Sequence, residues 1–518
     1  MYPQRGLAHQ PSKGAHVARD ADVVVVGAGN AALCAALAAR EAGARTVVLE
    51  KAAREERGGN TYFSGGAFRF PYSGIEDIAR LIPDLSARER AEIDVGRYPV
   101  EAMRSDLVRV TGGRADPGLV DALLDGAWPT MTWMRESLGV RWVLLYGRQA
   151  YRVGGLLRFW GGLIAEAVGG GAGLSDALFS ACEAAGIDIR YDTKAISLLV
   201  DERTGAVRGV RTADPDGRRD LPSASVILAS GGFEANTEMR ARYLGPGWET
   251  AKVRGTRHNV GDGLRMALEA GAQSAGQWSG AHAVAWDLNA PPTGNRRIGD
   301  LYQKHSYPLG LIVNQRGDRF VDEGADLRNY TYAMYGREIL HQPGGVAFQI
   351  FDQQAVPLLR DEYRIREVTR EEARSVGELA ERLGIDRNGL ERTVASFNAA
   401  CRPGEFNPAE RDGLRTHGLE PPKSNWALPL VEAPFVGFAV TCGITFTFGG
   451  IRIEPGTASV LDTEDRPIPG LFAAGELVGG LFHDNYAGGS GLMAGAVFGR
   501  AAGTAAAAAA RRIAVGRP

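Results

Sequence analysis

The sequence has few cysteines, little net charge and no long apolar run, and each shortage excludes a class of protein. Its four cysteines, at positions 34, 182, 401 and 442, form no CxxC pair, which argues against a disulfide framework or a metal site. With 59 basic and 61 acidic residues the formal net charge is −2, so nothing favours nucleic acid as a partner. No stretch reaches the roughly 18 apolar residues of a membrane helix. We therefore predict a cytoplasmic protein that is not an integral membrane protein.

The N-terminal 20 residues also lack the apolar segment of a secretion signal. We predict that residues 1–20 form a disordered extension. The 518 residues leave room for more than one domain and a large core.

Glycine is the residue that the sequence has in quantity. The chain contains 69 glycines, and many of them cluster at 58–66, 154–173, 261–263 and 475–495. Because glycine lets a backbone approach another molecule closely, these clusters predict contacts with one large ligand.

A strand, turn and helix at residues 22–41 have the pattern of a dinucleotide site. The buried strand DVVVV is followed by GAGNAA and a helix, and the next strand ends at Glu50. Gly27 would make the tight turn, and Gly29 would let a pyrophosphate approach the helix N-terminus. Ala32 replaces the third glycine of the pattern, a position that needs only a small side chain. Glu50 would bind the ribose hydroxyls.

Two further glycine-rich segments favour FAD over a nicotinamide cofactor. RGGNT at 57–61 follows the second strand, and NYAGGSG at 485–491 opens a C-terminal helix. That helix N-terminus could donate N–H groups to the pyrimidine edge of a flavin; a plain loop is the alternative. The predicted cofactor contacts are Gly27, Gly29, Asn30, Ala31, Glu50, Lys51, Gly59, Asn60, Thr61, Gly66, Ala195, Gly231, Asp262, Gly475, Glu476, Gly491 and Leu492.

The middle of the chain predicts an α/β fold with an insertion. Alternating segments at 187–191, 195–200 and 207–211 predict a three-stranded β-meander beside a doubly wound, Rossmann-like sheet. From 277 to 438 aromatics, prolines and polar residues are interleaved, and 371–391 is a charged helical stretch. We predict an FAD-binding domain at 21–276 and 439–512, with an inserted α+β capping domain at 277–438.

These motifs together resemble the fumarate reductase/succinate dehydrogenase flavoprotein superfamily over about residues 20–512. The resemblance rests on the GxGxxA turn, GGNT, GDG at 261–263, FVDE at 320–323 with Arg328, and AAGE at 473–476. It implies FAD, a mobile cap and a substrate with a CH–CH bond beside an electron-withdrawing group. GNAALCAALAAREAG, KHSYPLG, RFVDEGADLRNYTYA and TFTFGG are most similar to tricarballylate dehydrogenases, which form cis-aconitate.

The sequence also departs from the superfamily pattern. Residues 60–64, NTYFS, offer no histidine for covalent attachment, so FAD is expected to be non-covalent. Thr445 or Phe446, and Tyr486, stand where fumarate reductases carry a histidine and an arginine for substrate carboxylates. Activity on succinate or fumarate is therefore not expected.

Desaturation of a carboxylic acid needs a hydride acceptor, a base and cations for the carboxylates. The resemblance makes Arg328 the proton-transfer residue, with Asp322, Glu323 and Asp326 as candidate relays. The predicted catalytic residues are Arg328, His305 and Tyr486; the predicted substrate-binding residues are Lys304, His282, Thr445 and Tyr307. A salt-bridge role for Arg328, a structural role for His305 and a surface position for Lys304 are the alternatives.

Three functions compete at this point. The first is a polycarboxylate dehydrogenase, including one that takes a related carboxylate of a specialised pathway. The second is an enzyme for a bulky neutral substrate such as a 3-ketosteroid, with Tyr486, Phe446, Phe448, Tyr307 and Trp286 as an apolar pocket. The third is a flavin subunit that passes electrons to an iron–sulfur or quinone-linked partner protein.

Overall fold

A computed structural model describes residues 21–515, so the predicted disorder of residues 1–20 lies outside the described residues. The strands are β1 Val23–Val26, β2 Thr46–Leu49, β3 Ala67–Phe68, β4 Ile93–Asp94, β5 Trp142–Leu144, β6 Ala150–Val153, β7 Leu156–Phe159, β8 Ala165–Ala167, β9 Asp188–Arg190, β10 Lys194–Val200, β11 Val207–Asp214, β12 Gly217–Pro222, β13 Ser225–Leu228, β14 Lys252–Val253, β15 Ser274–Asp287, β16 Leu311–Val313, β17 Val346–Phe351, β18 Glu371–Ala373, β19 Phe435–Ile451, β20 Ser459–Leu461 and β21 Pro467–Ala473. The helices are α1 Asn30–Glu41, α2 Gly59–Tyr62, α3 Ile75–Leu81, α4 Ala87–Glu92, α5 Val100–Val110, α6 Pro117–Glu136, α7 Tyr146–Gln149, α8 Gly170–Ala184, α9 Thr237–Met239, α10 Asp262–Glu269, α11 Tyr332–Leu340, α12 Val376–Leu383, α13 Arg387–Ala400 and α14 Ser490–Val515.

The main sheet has the order β20-β21-β13-β1-β2-β9, and all neighbours except β20 and β21 pair in parallel. Val25 of β1 lies opposite Ile227 on one side and Val48 on the other. All four residues of β1, β2 and β13 are buried, as expected for central parallel strands covered on both faces. The predicted Rossmann-like α/β fold is confirmed.

The β-meander exists, but its strands differ from the prediction. It consists of β10, β11 and β12, paired antiparallel in that order. The segment predicted as its first strand, 187–191, instead forms β9 and pairs in parallel with β2. The alternation of this segment identified a strand but carried no information about its partner.

A second sheet surrounds the long strand β19. It has the order β14-β19-β17-β16, and β15 and β18 also pair with β19. The predicted limits of the insertion, 277 and 438, fall inside β15 and β19, so these two paired strands join the predicted regions. The stretch 371–391, expected to be helical, contains β18, α12 and the start of α13.

The C-terminal helix α14 packs against α1 through a row of glycines. A Cβ atom on Gly499 or Gly503 would collide with the carbonyl oxygen of Ala31 or Ala35, so only glycine allows this approach. Residues Ser490–Ile513 of the helix are long and apolar enough to cross a membrane, yet 61% of that window is buried in the protein. Packing against α1 accounts for its apolar composition.

Candidate functional site

A large cavity opens at the carboxyl ends of β1, β2 and β13, where open α/β sheets bind their ligands. Its wall includes 16 of the 17 predicted cofactor contacts: Gly27, Gly29, Asn30, Ala31, Glu50, Lys51, Gly59, Asn60, Thr61, Ala195, Gly231, Asp262, Gly475, Glu476, Gly491 and Leu492. Gly66 is the exception. A Cβ atom there would collide with Gly170, so Gly66 serves the packing of α8 rather than the cavity.

The turn after β1 brings the two glycine-rich helix N-termini together. Gly27 has a φ of +106°, and a Cβ atom there would collide with the carbonyl oxygen of Ala229. The backbone N–H of Asn30 donates to Thr61 Oγ1 at 2.8 Å, and its side-chain amide donates to the Leu492 carbonyl at 2.8 Å. Asn30 therefore fixes the start of α1 beside the start of α14, with both helix N-termini at the cavity.

The far end of the cavity holds carboxylates suited to hydroxyl groups. Glu50 accepts the backbone N–H of Ala52 at 2.8 Å, and burial raises the pKa of its carboxyl group. Asp262 is paired with both Lys51 and Lys194, each at 2.8 Å. These acceptors, with the small residues and helix N-termini of the turn, fit the ribose, pyrophosphate and adenine of FAD.

Glu476 lines the cavity beside Glu234, a fully buried carboxyl group. Its Oε1 accepts the backbone N–H of Thr447 at 2.8 Å, while Glu234 accepts the side-chain amides of Asn60 and Asn259, both at 2.6 Å. Burial, and then the repulsion of Glu476, raise the pKa of Glu234. We expect the pair to hold one proton at neutral pH.

Three arginines line the other end of the cavity, around one aspartate. Asp300 accepts the guanidinium of Arg254 at 2.8 Å and that of Arg148 at 2.6 Å. Arg254 also donates to Thr445 Oγ1 at 3.1 Å. With Arg328, this end carries three guanidinium groups; Asp300 is paired with two of them, and Glu166 and Glu362 act on Arg148 at longer range. Guanidinium groups at a cavity wall are suited to an anionic ligand.

Arg328 lies at the cavity without a carboxylate partner. Its guanidinium contacts His305 Nδ1 at 3.2 Å and donates to the Arg148 carbonyl at 2.9 Å. No Asp or Glu oxygen within residues 21–515 lies within 4.0 Å of it. Burial lowers the pKa of the Arg328 guanidinium. The salt-bridge alternative for Arg328 therefore finds no partner in the described part of the chain.

Two buried histidines face the same space. His305 is 2% exposed and His282 is 1% exposed. Burial, assisted by neighbouring arginines, lowers the pKa of both imidazoles well below the usual value, so both are neutral. Nε2 of His305 and Nδ1 of His282 lack a hydrogen-bond partner among the described residues. These two nitrogens are available to a ligand.

Lys304 and Tyr307 lie outside the cavity, contrary to the prediction that they bind substrate. The ammonium group of fully buried Lys304 donates to the carbonyls of Gln303 at 3.1 Å and Glu362 at 2.9 Å. It also lies 3.6 Å from Asp287. The Tyr307 hydroxyl contacts Thr331 Oγ1 at 2.6 Å. Both side chains make hydrogen bonds within the fold and not in the cavity. Because Lys304 is fully buried, the surface position considered for it is also wrong.

The candidate relays near Arg328 have other partners. Asp322 accepts the backbone N–H groups of Gly324 and Ser424, at 2.9 and 3.0 Å. Glu323 forms an ion pair with Arg319, and Asp326 forms one with Arg109. These contacts direct the three carboxylates into the fold rather than toward Arg328.

Aromatic side chains cover the wall beside His282. The His282 ring stacks on Phe446 at 5.0 Å, and Tyr486 meets it edge-on at 4.9 Å. Phe448, Phe482 and Tyr332 also line the cavity, whereas Tyr307 and Trp286 do not. The Tyr486 hydroxyl accepts the backbone N–H of Gly491 at 3.1 Å, which anchors it to the start of α14.

The sequence analysis missed Arg148, Arg254 and Asp300. Arg148 and Asp300 are 152 residues apart, and Arg254 and Asp300 are 46 residues apart, so no local spacing marks the cluster. The only signal was the position of Arg254 just before the segment TRHNVGDG, which carries Asp262.

Comparisons with known proteins agree with this geometry. A model of the FAD binding domain family matches residues 22–492. Urocanate reductase of Eggerthella lenta is 31% identical over 519 residues, which cover 94% of this chain and 75% of the relative. Fumarate reductase (cytochrome) of Shewanella frigidimarina is 30% identical over 490 residues, which cover 94% and 77%.

Solved structures show the same fold. The open conformation of a flavocytochrome c3 fumarate reductase superposes with a TM-score of 0.70 at 28% identity, and the match covers 95% of this chain and 78% of that one. A 3-ketosteroid delta1-dehydrogenase from Sterolibacterium denitrificans superposes with a TM-score of 0.71 at 22% identity, over 94% and 99%. FAD is therefore the cofactor, and the protein is an oxidoreductase acting on CH–CH bonds. The chain belongs to the FAD binding domain family, among the flavoproteins of the fumarate reductase/succinate dehydrogenase superfamily.

Proposed function

We propose that the protein desaturates a CH–CH bond of a small polycarboxylate, with tricarballylate as the favoured substrate and cis-aconitate as the product. The observation that carries this proposal is the group of Arg148, Arg254 and Arg328 at one end of the cavity, where Asp300 pairs with Arg148 and Arg254 while Arg328 has no carboxylate within 4.0 Å among the described residues. Buried arginines need anionic partners, because an uncompensated buried charge is strongly unfavourable. A substrate with several carboxylates supplies these partners.

The residues around the cluster have distinct roles in this proposal. Arg148 donates to Asp300 through Nη1 alone, so the rest of its guanidinium binds one substrate carboxylate and orients it. Arg254, whose three nitrogens are bonded to Asp300 and Thr445, adds its positive charge beside that carboxylate. The unpartnered ring nitrogens of His305 and His282 add neutral donors or acceptors. These contacts fix the reacting carbon before the reaction and keep water out of the arginine cluster.

FAD, when bound, would supply the hydride acceptor for one carbon of the substrate. Arg328, once its guanidinium has given up a proton, takes the proton from the neighbouring carbon, which returns it to the cationic form. Burial lowers the pKa of its guanidinium against the opposing effect of Glu362, which is the direction that a base requires. Its contact with His305 fixes one side of the guanidinium.

Tyr486, the third residue predicted to be catalytic, lies at the cavity wall. Its hydroxyl is already bonded to the Gly491 N–H, and burial raises its pKa. Burial outweighs the Gly491 hydrogen bond, which by itself lowers the pKa, and so favours the neutral phenol; we therefore place proton removal at Arg328 and leave Tyr486 to position the substrate.

The aromatic wall favours the alternative substrate class, a bulkier neutral molecule such as a 3-ketosteroid. Phe446, Phe448 and Phe482 would suit such a molecule. A neutral substrate, however, would leave Arg254 with Asp300 alone and Arg328 without a carboxylate partner. These arginines therefore favour a carboxylate over a ketosteroid.

Electron transfer from the reduced cofactor needs an acceptor, and we include an iron–sulfur or quinone-linked protein as that partner. Non-covalent FAD is also part of the proposal, because the 58–66 loop contains no histidine. A cytoplasmic location is also part of the proposal. The four cysteines support it, because none is paired in a disulfide.

A substrate panel with an artificial electron acceptor tests the proposal. The panel contains tricarballylate, succinate, a monocarboxylic acid and a 3-ketosteroid, each assayed for initial rate. We expect turnover of tricarballylate and little or none of the other three. Turnover of the ketosteroid without the tricarboxylate would overturn the proposed substrate class.

A further inference from the structure

Arg69 is fully buried, and its guanidinium joins segments that are far apart in the sequence. Its Nε donates to the carbonyl of Gly488 at 2.8 Å. Its Nη1 donates to the hydroxyls of Tyr98 at 2.7 Å and Tyr330 at 3.3 Å. One side chain therefore bonds both the loop that precedes α14 and the segment that carries Arg328.

Asp106 of α5 provides the opposite charge. Its Oδ2 lies 3.8 Å from Arg69 and accepts the hydroxyls of Tyr98 at 2.7 Å and Tyr330 at 2.6 Å. Arg109, one turn along the same helix, donates to Asp106 at 3.1 Å. Tyr330 joins this network from the predicted insertion at 277–438, and so does Asp326, through its ion pair with Arg109.

The segment 326–330 is held at further points by residues outside that insertion. The Asn329 side chain exchanges two hydrogen bonds with the amide of Gln149, at 2.7 and 3.1 Å. The carbonyls of Asn329 and Tyr330 accept from Gly488 N–H at 2.9 Å and from the Asn485 amide at 2.6 Å. Arg328, in the centre of this segment, is thereby fixed relative to the loop 485–489 and its Tyr486.

Stability alone does not account for such a network. Burying a charged pair is offset by desolvation, and apolar side chains of the same volume often stabilise a core equally well or better. A connected buried network does select one arrangement of the segments that it joins. Here the selected arrangement is that of Arg328 against the start of α14.

We infer that Arg69, Asp106 and Tyr330 form a latch that positions Arg328 for proton transfer. Tyr330 does not line the cavity, so it is a positioning residue. The inference rests on the proposed function in one respect, the role of Arg328 in proton transfer. The latch itself rests only on the hydrogen bonds of the three residues.

The variant Tyr330→Phe tests the latch in the FAD-loaded enzyme. It removes the hydroxyl and keeps the ring, which lies 5.1 Å from the Arg69 guanidinium and 4.7 Å from that of Arg109. Because the lost hydrogen bond goes to a charged group, we expect hydrogen exchange at 326–330 and 485–489 to accelerate about tenfold. The kcat should fall about tenfold, while KM and FAD content stay near wild type.

Tyr72→Phe is the matched control. Tyr72 is 4% exposed and Tyr330 is 6% exposed, and the Tyr72 hydroxyl donates to the Val95 carbonyl at 3.0 Å. This control also removes a buried tyrosine hydroxyl and its hydrogen bond, but that bond does not go to the segment 326–330. Its exchange in that segment and its kcat should match those of the wild type. Should Tyr330→Phe fold poorly, Asp106→Asn tests the same latch from α5, with the same expected acceleration.

The two readouts separate the latch from the proposed function. Unchanged exchange at 326–330, or equal exchange in Tyr330→Phe and Tyr72→Phe, overturns the latch. Faster exchange with an unchanged kcat overturns the positioning of Arg328. Faster exchange in a protein that turns over no carboxylate supports the latch and counts against the proposed function alone.

Discussion

The Arg328 guanidinium lies 3.2 Å from Nδ1 of His305, and this contact fixes the tautomer of the histidine. Arginine can only donate, so Nδ1 accepts. Burial, with the charge of Arg328, lowers the pKa of His305 well below its usual value, so the imidazole is neutral. Its one proton is then on Nε2, which has no partner among the described residues. His305 thus offers an N–H to a substrate carboxylate.

Replacing Arg328 by Lys, Gln or Ala should lower kcat by roughly a hundredfold or more. Lysine keeps the charge but loses the planar fork that reaches both His305 and the Arg148 carbonyl. FAD content, measured by absorbance of the purified protein, should stay near that of the wild type. A Lys variant with most of its kcat would make Arg328 a carboxylate anchor instead of the base.

Replacing Arg254 by Met should mainly raise KM for a polycarboxylate. Loss of one ion pair in a desolvated site corresponds to about 2–4 kcal/mol. The variant also frees one side of Asp300, which then repels the substrate. Steady-state kinetics with a tricarboxylate and a monocarboxylate measure the effect. A similar rise for a neutral substrate would mean that Arg254 only maintains the shape of the site.

Replacing Lys304 by Met should change stability and leave KM within about twofold of the wild-type value, because Lys304 is fully buried and bonds backbone carbonyls. Burial lowers the pKa of its ammonium group from 10.5 to about 8. Between these pH values the unfolded chain binds more protons than the folded protein, so the contribution of Lys304 to stability rises with pH.

Between pH 8 and 10.5 the contribution of Lys304 to the free energy of unfolding should rise by roughly 3 kcal/mol. Denaturant unfolding at pH 7.5 and 10 should show a smaller rise in Lys304→Met than in the wild type. Part of the rise remains in the variant, because burial also lowers the pKa of Lys423 to about 8. A large increase in KM for the variant would instead restore Lys304 to the substrate site.

The pH dependence of KM should report Glu166. Burial raises the pKa of this carboxyl group to about 7, against the opposing effect of Arg148. Above that pH the ionised group adds a negative charge near Arg148, so KM for a polycarboxylate should rise by about three- to tenfold. Glu166→Gln should abolish the rise while keeping the low-pH value. An unchanged profile in the variant would assign the titration to another group.

Glu50→Ala should weaken FAD binding and leave the apoprotein folded, because Glu50 lies at the cavity wall at the end of β2. Ultrafiltration of the reconstituted protein measures the retained flavin, and circular dichroism checks the fold. Acid precipitation of the wild type should release all of its yellow colour. Flavin that stays with the precipitate would contradict non-covalent binding.

The nucleotide half of the site could be predicted from the sequence because its signals are local. The run DVVVV, the GAGNAA turn and Glu50 lie within 29 consecutive residues, 22–50. The residue types themselves indicate the local structure: the apolar run indicates a buried strand, and the glycines indicate a tight turn. The cluster of Arg148, Arg254 and Asp300 could not be predicted in this way, because it depends on tertiary contacts between distant segments.

Lys304 was predicted to bind substrate, but it lies outside the cavity. It stands beside His305, and the two were expected to face the substrate together. In the structure consecutive residues point to opposite sides: His305 lines the cavity, and Lys304 reaches the carbonyls of Gln303 and Glu362. The sequence contains no pattern that distinguishes a lysine bonded to backbone carbonyls from a lysine that binds a ligand.

Anaerobic reduction of the bound flavin tests the central claim most directly. The purified enzyme is mixed with tricarballylate without any acceptor, and the flavin absorbance and the products are measured in the same sample. The account predicts bleaching of the flavin, with one cis-aconitate formed for each flavin reduced, and no bleaching by a 3-ketosteroid. A flavin that stays oxidised with tricarballylate and is bleached by the ketosteroid would contradict it.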